Sequence, residues 1–124
     1  MKFLVIDDSP TMLRIVANTL ERIGYTDIVK ANDGAEALAK FDASIGFIIT
    51  AWNMPKMNGL EFTIALRATP GGEFVPLLMV TARSASEDIA RAVEAGVSNY
   101  ILKPFTAPVL KEKIDAMPLS AVPA

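Results

Sequence analysis

The sequence contains no cysteine and no histidine among its 124 residues. Without cysteine the chain can form neither disulfides nor thiolates, and without histidine it has no imidazole base and no imidazole metal ligand. Any chemistry must therefore use carboxylates, hydroxyls, lysine ammonium groups and a hard metal ion.

The sequence also lacks an excess of basic charge and a long apolar run. Lys and Arg total 12 against 14 Asp and Glu, a net charge of −2. This balance argues against nucleic acid as a partner, because proteins that bind the phosphate backbone carry clustered positive charge. No apolar run approaches the roughly 20 residues of a membrane span. We therefore expect a soluble cytoplasmic protein that does not insert into membranes.

Length and composition predict a single domain. With 124 residues, 52% of them hydrophobic, the chain can fill one core of ordinary size and has no room for a second domain. We place the domain at residues 1–118 and a C-terminal tail at residues 119–124.

Short apolar runs alternate with helical patterns along the chain. The five runs with the length and residue types of strands are Phe3–Ile6, Ile28–Ala31, Phe47–Thr50, Val75–Thr81 and Tyr100–Leu102. A helical pattern follows each run. This alternation predicts an α/β fold with a parallel sheet, right-handed crossovers and helices on both faces.

Capping residues indicate where the helices begin. Ser9 as N-cap and Pro10 as first helical residue start the first helix. Ser84, with Glu87 three residues later, fits a capping box for the fourth helix. Thr106 is the predicted N-cap of the last helix.

Asp7 and Asp8 are adjacent carboxylates between the first predicted strand and the first helix. Two carboxylates about 4 Å apart repel by roughly 4 kcal/mol at an effective dielectric near 20, so such a pair requires a cation. Mg²⁺ suits it, since Mg²⁺ commonly uses one or two carboxylates plus water. From the pair alone, a cation site and simple interaction with the helix dipole stay equally open.

The loop after the third predicted strand, residues 51–59, reads Ala-Trp-Asn-Met-Pro-Lys-Met-Asn-Gly. With Asp7-Asp8, Thr81-Ala82 and Lys103-Pro104-Phe105, it resembles the phosphorylation-site signature of response-regulator receiver domains, and it is most similar to the CheY-like chemotaxis branch. The resemblance covers nearly the whole chain. It implies a doubly wound, flavodoxin-like fold with five helices and five parallel strands in the order 2-1-3-4-5, for which the chemotaxis regulators are a standard example.

The resemblance implies a role for each polar residue of the signature. Asp8 would bind Mg²⁺ directly, Asp7 partly through water, and the main-chain carbonyl of Asn53 would be a third ligand. Thr81 would hydrogen-bond a phosphoryl oxygen, and Lys103 would pair with the charge of the acceptor and of the phosphoryl group. Such groups supply the positioning and charge neutralisation on which phosphoryl transfer depends.

The resemblance also implies a switch and partners. Tyr100 matches the aromatic switch residue, whose ring turns inward when Thr81 moves toward the phosphoryl group. The phosphoryl donor would be a histidine kinase. The output partner, such as a flagellar motor switch protein, would bind a monomer on the face of the fourth helix, last strand and last helix. Arg83 departs from the acidic residue expected there, which leaves the partner open. The Lys103–Pro104 peptide bond would be cis, against a general frequency of about 5% for X-Pro bonds.

Ala51 occupies the position of the aspartate that accepts the phosphoryl group in this family. Because a methyl group has no nucleophilic oxygen, the resemblance implies a signalling switch that cannot be phosphorylated there, with a weakened Mg²⁺ site. Since all other signature residues remain, we favour a deliberate substitution in a competent receiver. The alternative is a naturally degenerate receiver that acts as a phosphorylation-independent interaction module.

Two other protein classes share parts of this pattern. A phosphohydrolase of the haloacid-dehalogenase type needs Asp-x-Asp after the first strand, whereas Asp7 and Asp8 are adjacent. A flavodoxin-like electron carrier needs a first loop that binds phosphate, and two carboxylates would repel that phosphate. Neither class fits the sequence as well as a receiver does.

Overall fold

The computed structural model describes residues 1–117, in which five strands and five helices alternate. In chain order they are β1 (Lys2–Ile6), α1 (Pro10–Arg22), β2 (Asp27–Ala31), α2 (Gly34–Lys40), β3 (Ile45–Ala51), α3 (Gly59–Arg67), β4 (Leu77–Thr81), α4 (Ser86–Ala95), β5 (Asn99–Leu102) and α5 (Ala107–Ala116). All paired strands are parallel, and the sheet order is β2-β1-β3-β4-β5. The predicted fold class is confirmed. The predicted tail at 119–124 lies outside the described residues.

Side chains from alternate strand positions fill two separate cores. The face covered by α2, α3 and α4 has a cluster that includes Leu4, Ile48 and Phe62. The face covered by α1 and α5 has a cluster that includes Phe3 and Phe47. All five of these side chains have no exposed surface. Because both faces of the sheet are covered, the strand ends are where its polar residues collect.

The strands differ slightly from the predicted runs. Three of them (β1, β2 and β5) begin one residue earlier than predicted, and β3 is longer by two residues at its start and one at its end, whereas β4 begins at Leu77 and not at Val75. Pro76 explains the later start of β4, because proline has no N–H to donate to a neighbouring strand. Among residues 1–117, no helix has the length and apolar character that a membrane crossing requires.

Two of the predicted helix starts are confirmed. The hydroxyl of Ser9 accepts the N–H of Met12 at 3.2 Å, and Pro10 is the first residue of α1. Thr106 caps α5 in the same way, with the N–H of Val109 3.4 Å from its hydroxyl. Each cap satisfies one of the free N–H groups that a helix start leaves.

The capping box predicted at Ser84 and Glu87 is wrong. The structure begins α4 at Ser86, and its N-cap is Ala85, whose side chain makes no cap hydrogen bond. Ser84 therefore lies one residue before the cap position. Glu87 and Asp88 lie in the first turn of α4, where their negative charge interacts favourably with the helix dipole.

Arg67, the last residue of α3, lies at the edge of the sheet where β4 and β5 begin. Its guanidinium donates to the carbonyls of Gly72 (2.9 Å), Val75 (2.7 Å) and Gly96 (2.8 and 3.1 Å), and to the hydroxyl of Ser98 (3.4 Å). Gly96 has φ of +110°, and a Cβ there would lie 2.9 Å from Arg67 Cγ. One side chain thus ties together the segments that precede two strands.

Gly59 fixes the loop at the opposite edge, where β3 ends. Its N–H donates to the carbonyl of Trp52 at 2.7 Å. A Cβ at Gly59 would lie 2.0 Å from the carbonyl oxygen of Ala51, so only glycine allows this approach. Asn58 and Glu61 form a capping box that starts α3 at the same place. The loop after β3 therefore returns tightly onto the end of its own strand.

Candidate functional site

A cavity of about 210 Å³ lies at the carboxyl edge of the sheet. It is lined by residues that follow or end β1, β3, β4 and β5: Asp7, Asp8, Ser9, Ala51, Trp52, Asn53, Val80, Thr81, Ala82 and Lys103. Six of the seven predicted site residues are among them. The seventh, Tyr100, does not line the cavity. The strand order β2-β1-β3-β4-β5 accounts for this assembly, because β1 and β4 both flank β3.

Asp7 and Lys103 are two charged residues that line the cavity and form an ion pair. Asp7 is 6% exposed, its Oδ1 accepts the N–H of Ser9 at 3.0 Å, and its Oδ2 lies 3.8 Å from Lys103 Nζ. Burial raises the pKa of the Asp7 carboxyl, although the Ser9 N–H and the Lys103 ammonium both favour its ionised form. Asp8 is exposed beside it. The Lys103–Pro104 peptide bond is cis, as the family resemblance implied.

The donor groups around the cavity suit a hard cation. Residues 1–117 contain no cluster of three or more His, Cys, Asp or Glu that could hold a metal ion. Asp7 and Asp8 still bring two carboxylates to one cavity, together with the oxygens of Asn53. Mg²⁺ commonly takes one or two carboxylates and completes its octahedron with water, so these residues fit Mg²⁺ without a third carboxylate.

Thr81 and Tyr100 are joined through the main chain of Arg83. The Thr81 side chain is buried at the end of β4, and its Oγ1 accepts the N–H of Arg83 at 3.1 Å. The Tyr100 hydroxyl donates to the carbonyl of the same arginine at 2.7 Å. Burial raises the pKa of Tyr100, so the phenol keeps its proton at neutral pH. The Tyr100 ring is half-buried, and its hydroxyl is hydrogen-bonded to the main chain between β4 and α4.

The Arg83 side chain lies at the centre of a second group of contacts. Its Cζ is 4.6 Å from the ring centroid of Trp52, its Nη2 donates to Asn53 Oδ1 at 2.9 Å, and its Nη1 is 3.7 Å from Asp88 Oδ2. Arg91 Cζ lies 5.8 Å from the same ring, with its Nη1 3.7 Å from Asp88 Oδ1. Among the described residues, Arg83 Nε is the one buried side-chain N or O atom without a hydrogen-bond partner.

Sequence reasoning missed this second group. It identified Arg83 only as a departure from the expected acidic residue. The available signal was the i, i+3 pair of Asp88 and Arg91 on the predicted fourth helix. Nothing in the sequence placed Trp52 beside that helix, because the contact depends on how α4 packs against the end of β3.

Comparison with known proteins identifies similar sequences. A family model described as the response regulator receiver domain matches residues 3–115. The chain is 47% identical over 119 residues to the chemotaxis protein CheY1 of Helicobacter pylori strain J99, covering 94% of this chain and 96% of that protein. It is 48% identical over 117 residues to the chemotaxis protein CheY homolog of Campylobacter jejuni, covering 93% and 90%.

Solved structures have the same fold. The chemotaxis protein CheY4 of Vibrio cholerae gives a TM-score of 0.85 at 35% identity, covering 93% of this chain and 96% of that one. A complex from Borrelia burgdorferi described as CheX-CheY-BeF3-Mg contains a chain with a TM-score of 0.86, covering 94% and 87%. At 20% identity, this second similarity concerns the fold alone.

Proposed function

The chain belongs to the response regulator receiver family, and from that premise we propose that it is a chemotaxis-type response regulator without a phosphoryl acceptor. One observation carries the proposal. The cavity at the carboxyl edge is lined by the five polar residues to which the resemblance gives a role in phosphoryl transfer, and Ala51 lies at the acceptor position; the five are Asp7, Asp8, Asn53, Thr81 and Lys103. The CheY names of the bacterial relatives support the chemotaxis assignment.

We assign the cavity residues the following roles. Asp8, the main-chain carbonyl of Asn53 and, partly through water, Asp7 would hold Mg²⁺, which would supply positive charge beside a phosphoryl group. In a version with aspartate at position 51, Thr81 would donate a hydrogen bond to a phosphoryl oxygen, and Lys103 would pair with the phosphoryl charge. These residues orient and neutralise without forming covalent bonds, which is what a phosphoryl transfer asks of a protein.

Ala51 removes the chemical step and leaves the surrounding residues in place. A methyl group offers no oxygen to the phosphohistidine of a kinase, so transfer to position 51 cannot occur. The protein then stays in the conformational population of the unphosphorylated state, because no covalent modification favours the other one. Mg²⁺ affinity falls as well, since one charged ligand is missing. The intact set of other residues favours a substitution introduced into a competent receiver.

The face formed by α4, β5 and α5 is the proposed surface for an output partner. Three apolar side chains are exposed on it: Val93 (62%), Leu102 (43%) and Val109 (39%). Exposed apolar residues grouped on one face are a feature of protein interaction sites. A flagellar motor switch protein is the proposed partner, a histidine kinase is the proposed donor, and the protein would act as a cytoplasmic monomer.

The proposal is tested by intact mass after incubation with a small phosphodonor and Mg²⁺. Three versions are compared: this chain, Ala51→Asp, and Ala51→Asn as a control of similar size without a nucleophile. We expect only Ala51→Asp to gain one phosphoryl group. A phosphoryl group on the unaltered chain, or none on Ala51→Asp, would contradict the proposed role of position 51.

A second candidate is a phosphorylation-independent interaction module. Ala51 favours it, because the methyl group cannot accept a phosphoryl group. Partner binding measured with Ala51→Asp, with and without phosphodonor, separates the two functions. Affinity that changes on phosphorylation supports the switch, and constant affinity supports the module.

A further inference from the structure

We propose that Arg83 is a positioning residue for the metal site, whose guanidinium holds the Trp52–Asn53 loop and with it the main-chain carbonyl of Asn53. The proposal rests on the metal site proposed above and extends it to a residue outside the receiver signature. Arg83 follows β4 by two residues, and it contacts Asn53, Asp88 and the ring of Trp52 through one guanidinium. Its main chain contacts Thr81 and Tyr100.

The side chain of Arg83 holds the loop that lines the cavity. Stacking at 4.6 Å on Trp52 and donation at 2.9 Å to Asn53 use different parts of one planar group. A guanidinium can stack and donate at the same time because its N–H groups lie in the plane of the fork, whereas an ammonium group has no such plane. Trp52 is 3% exposed, so the surrounding side chains hold its ring in place for this contact. Arg83 thereby fixes the residue whose carbonyl is the proposed third metal ligand.

The same side chain connects the loop to α4. Asp88 lies between two guanidinium groups, at 3.7 Å from Arg83 and 3.7 Å from Arg91, and both arginines face the Trp52 ring. A displacement of the Trp52–Asn53 loop therefore changes contacts made by the first turn of α4.

The main chain of Arg83 connects the two predicted switch residues. Its N–H binds the Thr81 hydroxyl at 3.1 Å, and its carbonyl binds the Tyr100 hydroxyl at 2.7 Å. Any movement of this peptide segment must alter both hydrogen bonds together. The guanidinium, which anchors the segment to Trp52 and Asn53, controls how freely it moves.

Charge and positioning predict opposite effects on metal binding. A positive charge near a cation site opposes metal binding, so removal of Arg83 for reasons of charge alone should strengthen it. If Arg83 positions the loop, its loss should weaken metal binding. Arg83→Lys separates the two effects, because lysine keeps the charge and loses the planar fork.

The experiment measures Mg²⁺ affinity by calorimetry in this chain and in Ala51→Asp, each with Arg83→Lys and Arg83→Gln. Arg91→Lys is the matched control, since Arg91 faces the same ring at 5.8 Å and makes no contact with Asn53. We expect both Arg83 variants to bind Mg²⁺ about tenfold more weakly, as is typical when a residue supporting a metal ligand is lost. Arg91→Lys should stay within about twofold of its parent.

Trp52 supplies a second readout, because it is the single tryptophan in the chain. Its emission should change on Mg²⁺ binding, and that response should be lost in Arg83→Lys and kept in Arg91→Lys. Urea midpoints measured in parallel identify a general loss of folding. A merely structural role would shift those midpoints and leave the metal response intact.

The outcomes distinguish this proposal from the proposed function. Mg²⁺ affinity unchanged in Arg83→Lys, strengthened in Arg83→Gln, or weakened equally in Arg91→Lys overturns the role of Arg83 and leaves the metal site standing. If Ala51→Asp also fails to bind Mg²⁺, both the proposed metal site and the positioning role of Arg83 are overturned.

Discussion

Two arginines show how the two edges of the sheet differ. At the edge where β4 and β5 begin, the guanidinium of Arg67 donates to three main-chain carbonyls and one hydroxyl. At the carboxyl edge, the guanidinium of Arg83 makes one hydrogen bond within 3 Å, one loose ion pair and a stacking contact, and its Nε has no partner among the described residues. The guanidinium of Arg67 is held mainly by main-chain carbonyls, whereas that of Arg83 contacts only side chains.

This difference in contacts suggests that Arg67 stabilises the fold and that Arg83 acts in ligand binding. Backbone carbonyls are always present and cannot ionise, so the contacts of Arg67 do not change with pH, metal or phosphorylation. Side chains at the carboxyl edge, such as Asp7 and Asp88, carry charges whose surroundings change when a ligand arrives. We therefore expect substitution of Arg67 to alter folding stability without altering Mg²⁺ binding, and substitution of Arg83 to alter Mg²⁺ binding.

The largest effect is expected from Arg67→Met. Methionine fills similar space but leaves the carbonyls of Gly72, Val75 and Gly96 without their donor. An unsatisfied buried polar group costs about 1–3 kcal/mol, so we expect the free energy of unfolding to fall by about 4 kcal/mol. Urea denaturation measures the loss. Mg²⁺ affinity of the folded protein should not change, and a change in it would break the separation of the two edges.

The next largest effect is expected from Gly59→Ala, a substitution that disturbs the main chain at the carboxyl edge of the sheet. The new Cβ would lie 2.0 Å from the Ala51 carbonyl oxygen, so the end of β3 or the loop must shift. We expect about 3 kcal/mol of destabilisation, typical of severe overpacking. Gly24→Ala is the control: Gly24 has φ of +103° but no atom within 4 Å of the added carbon, so it should cost only about 1 kcal/mol. Equal losses in the two variants would show that backbone strain, and not close approach, sets the cost.

The smallest effect is expected from Asp7→Asn, measured without metal as a function of pH. Burial raises the pKa of Asp7 in the folded protein above its ordinary value of 3.8. The folded state then binds the proton more tightly than the unfolded state, so stability from this group is fully present below pH 3.8 and is lost as pH rises through the raised pKa. The Asp7→Asn variant should therefore be more stable than the parent chain at neutral pH, with the advantage absent in acid. An advantage that does not depend on pH would contradict a burial effect on ionisation.

The local signals that could be read from the sequence were those carried by neighbouring residues. Ser9-Pro10 predicted the start of α1 correctly, because an N-cap and its helix are adjacent in the chain. Ser84 matched the same kind of motif and was wrong, since the N-cap of α4 is the next residue, Ala85, and the helix begins at Ser86. Composition alone cannot distinguish a serine at the cap from one just before it.

The predictable part of the site was the part that a family motif names. Asp7, Thr81 and Lys103 line one cavity because parallel strands end at one edge, and the motif placed each of them at a strand end. The contacts of Arg67 were not predictable, since its acceptors lie in three loops separated along the chain. Arg83 was noticed only as a mismatch, because its contact with Trp52 joins the loop after β4 to the loop after β3, and no local pattern brings these two loops together.

The contact between Gly59 and the end of β3 has a consequence for how this protein can diverge. Gly59 contacts main-chain atoms of Ala51 and Trp52, so this contact does not involve the side chain at position 51. Under the proposed function, the contact that holds the loop and the group that would accept a phosphoryl group therefore belong to different atoms. Exchange of aspartate for alanine at position 51 would then stop phosphorylation there and leave the contact between Gly59 and the main chain in place.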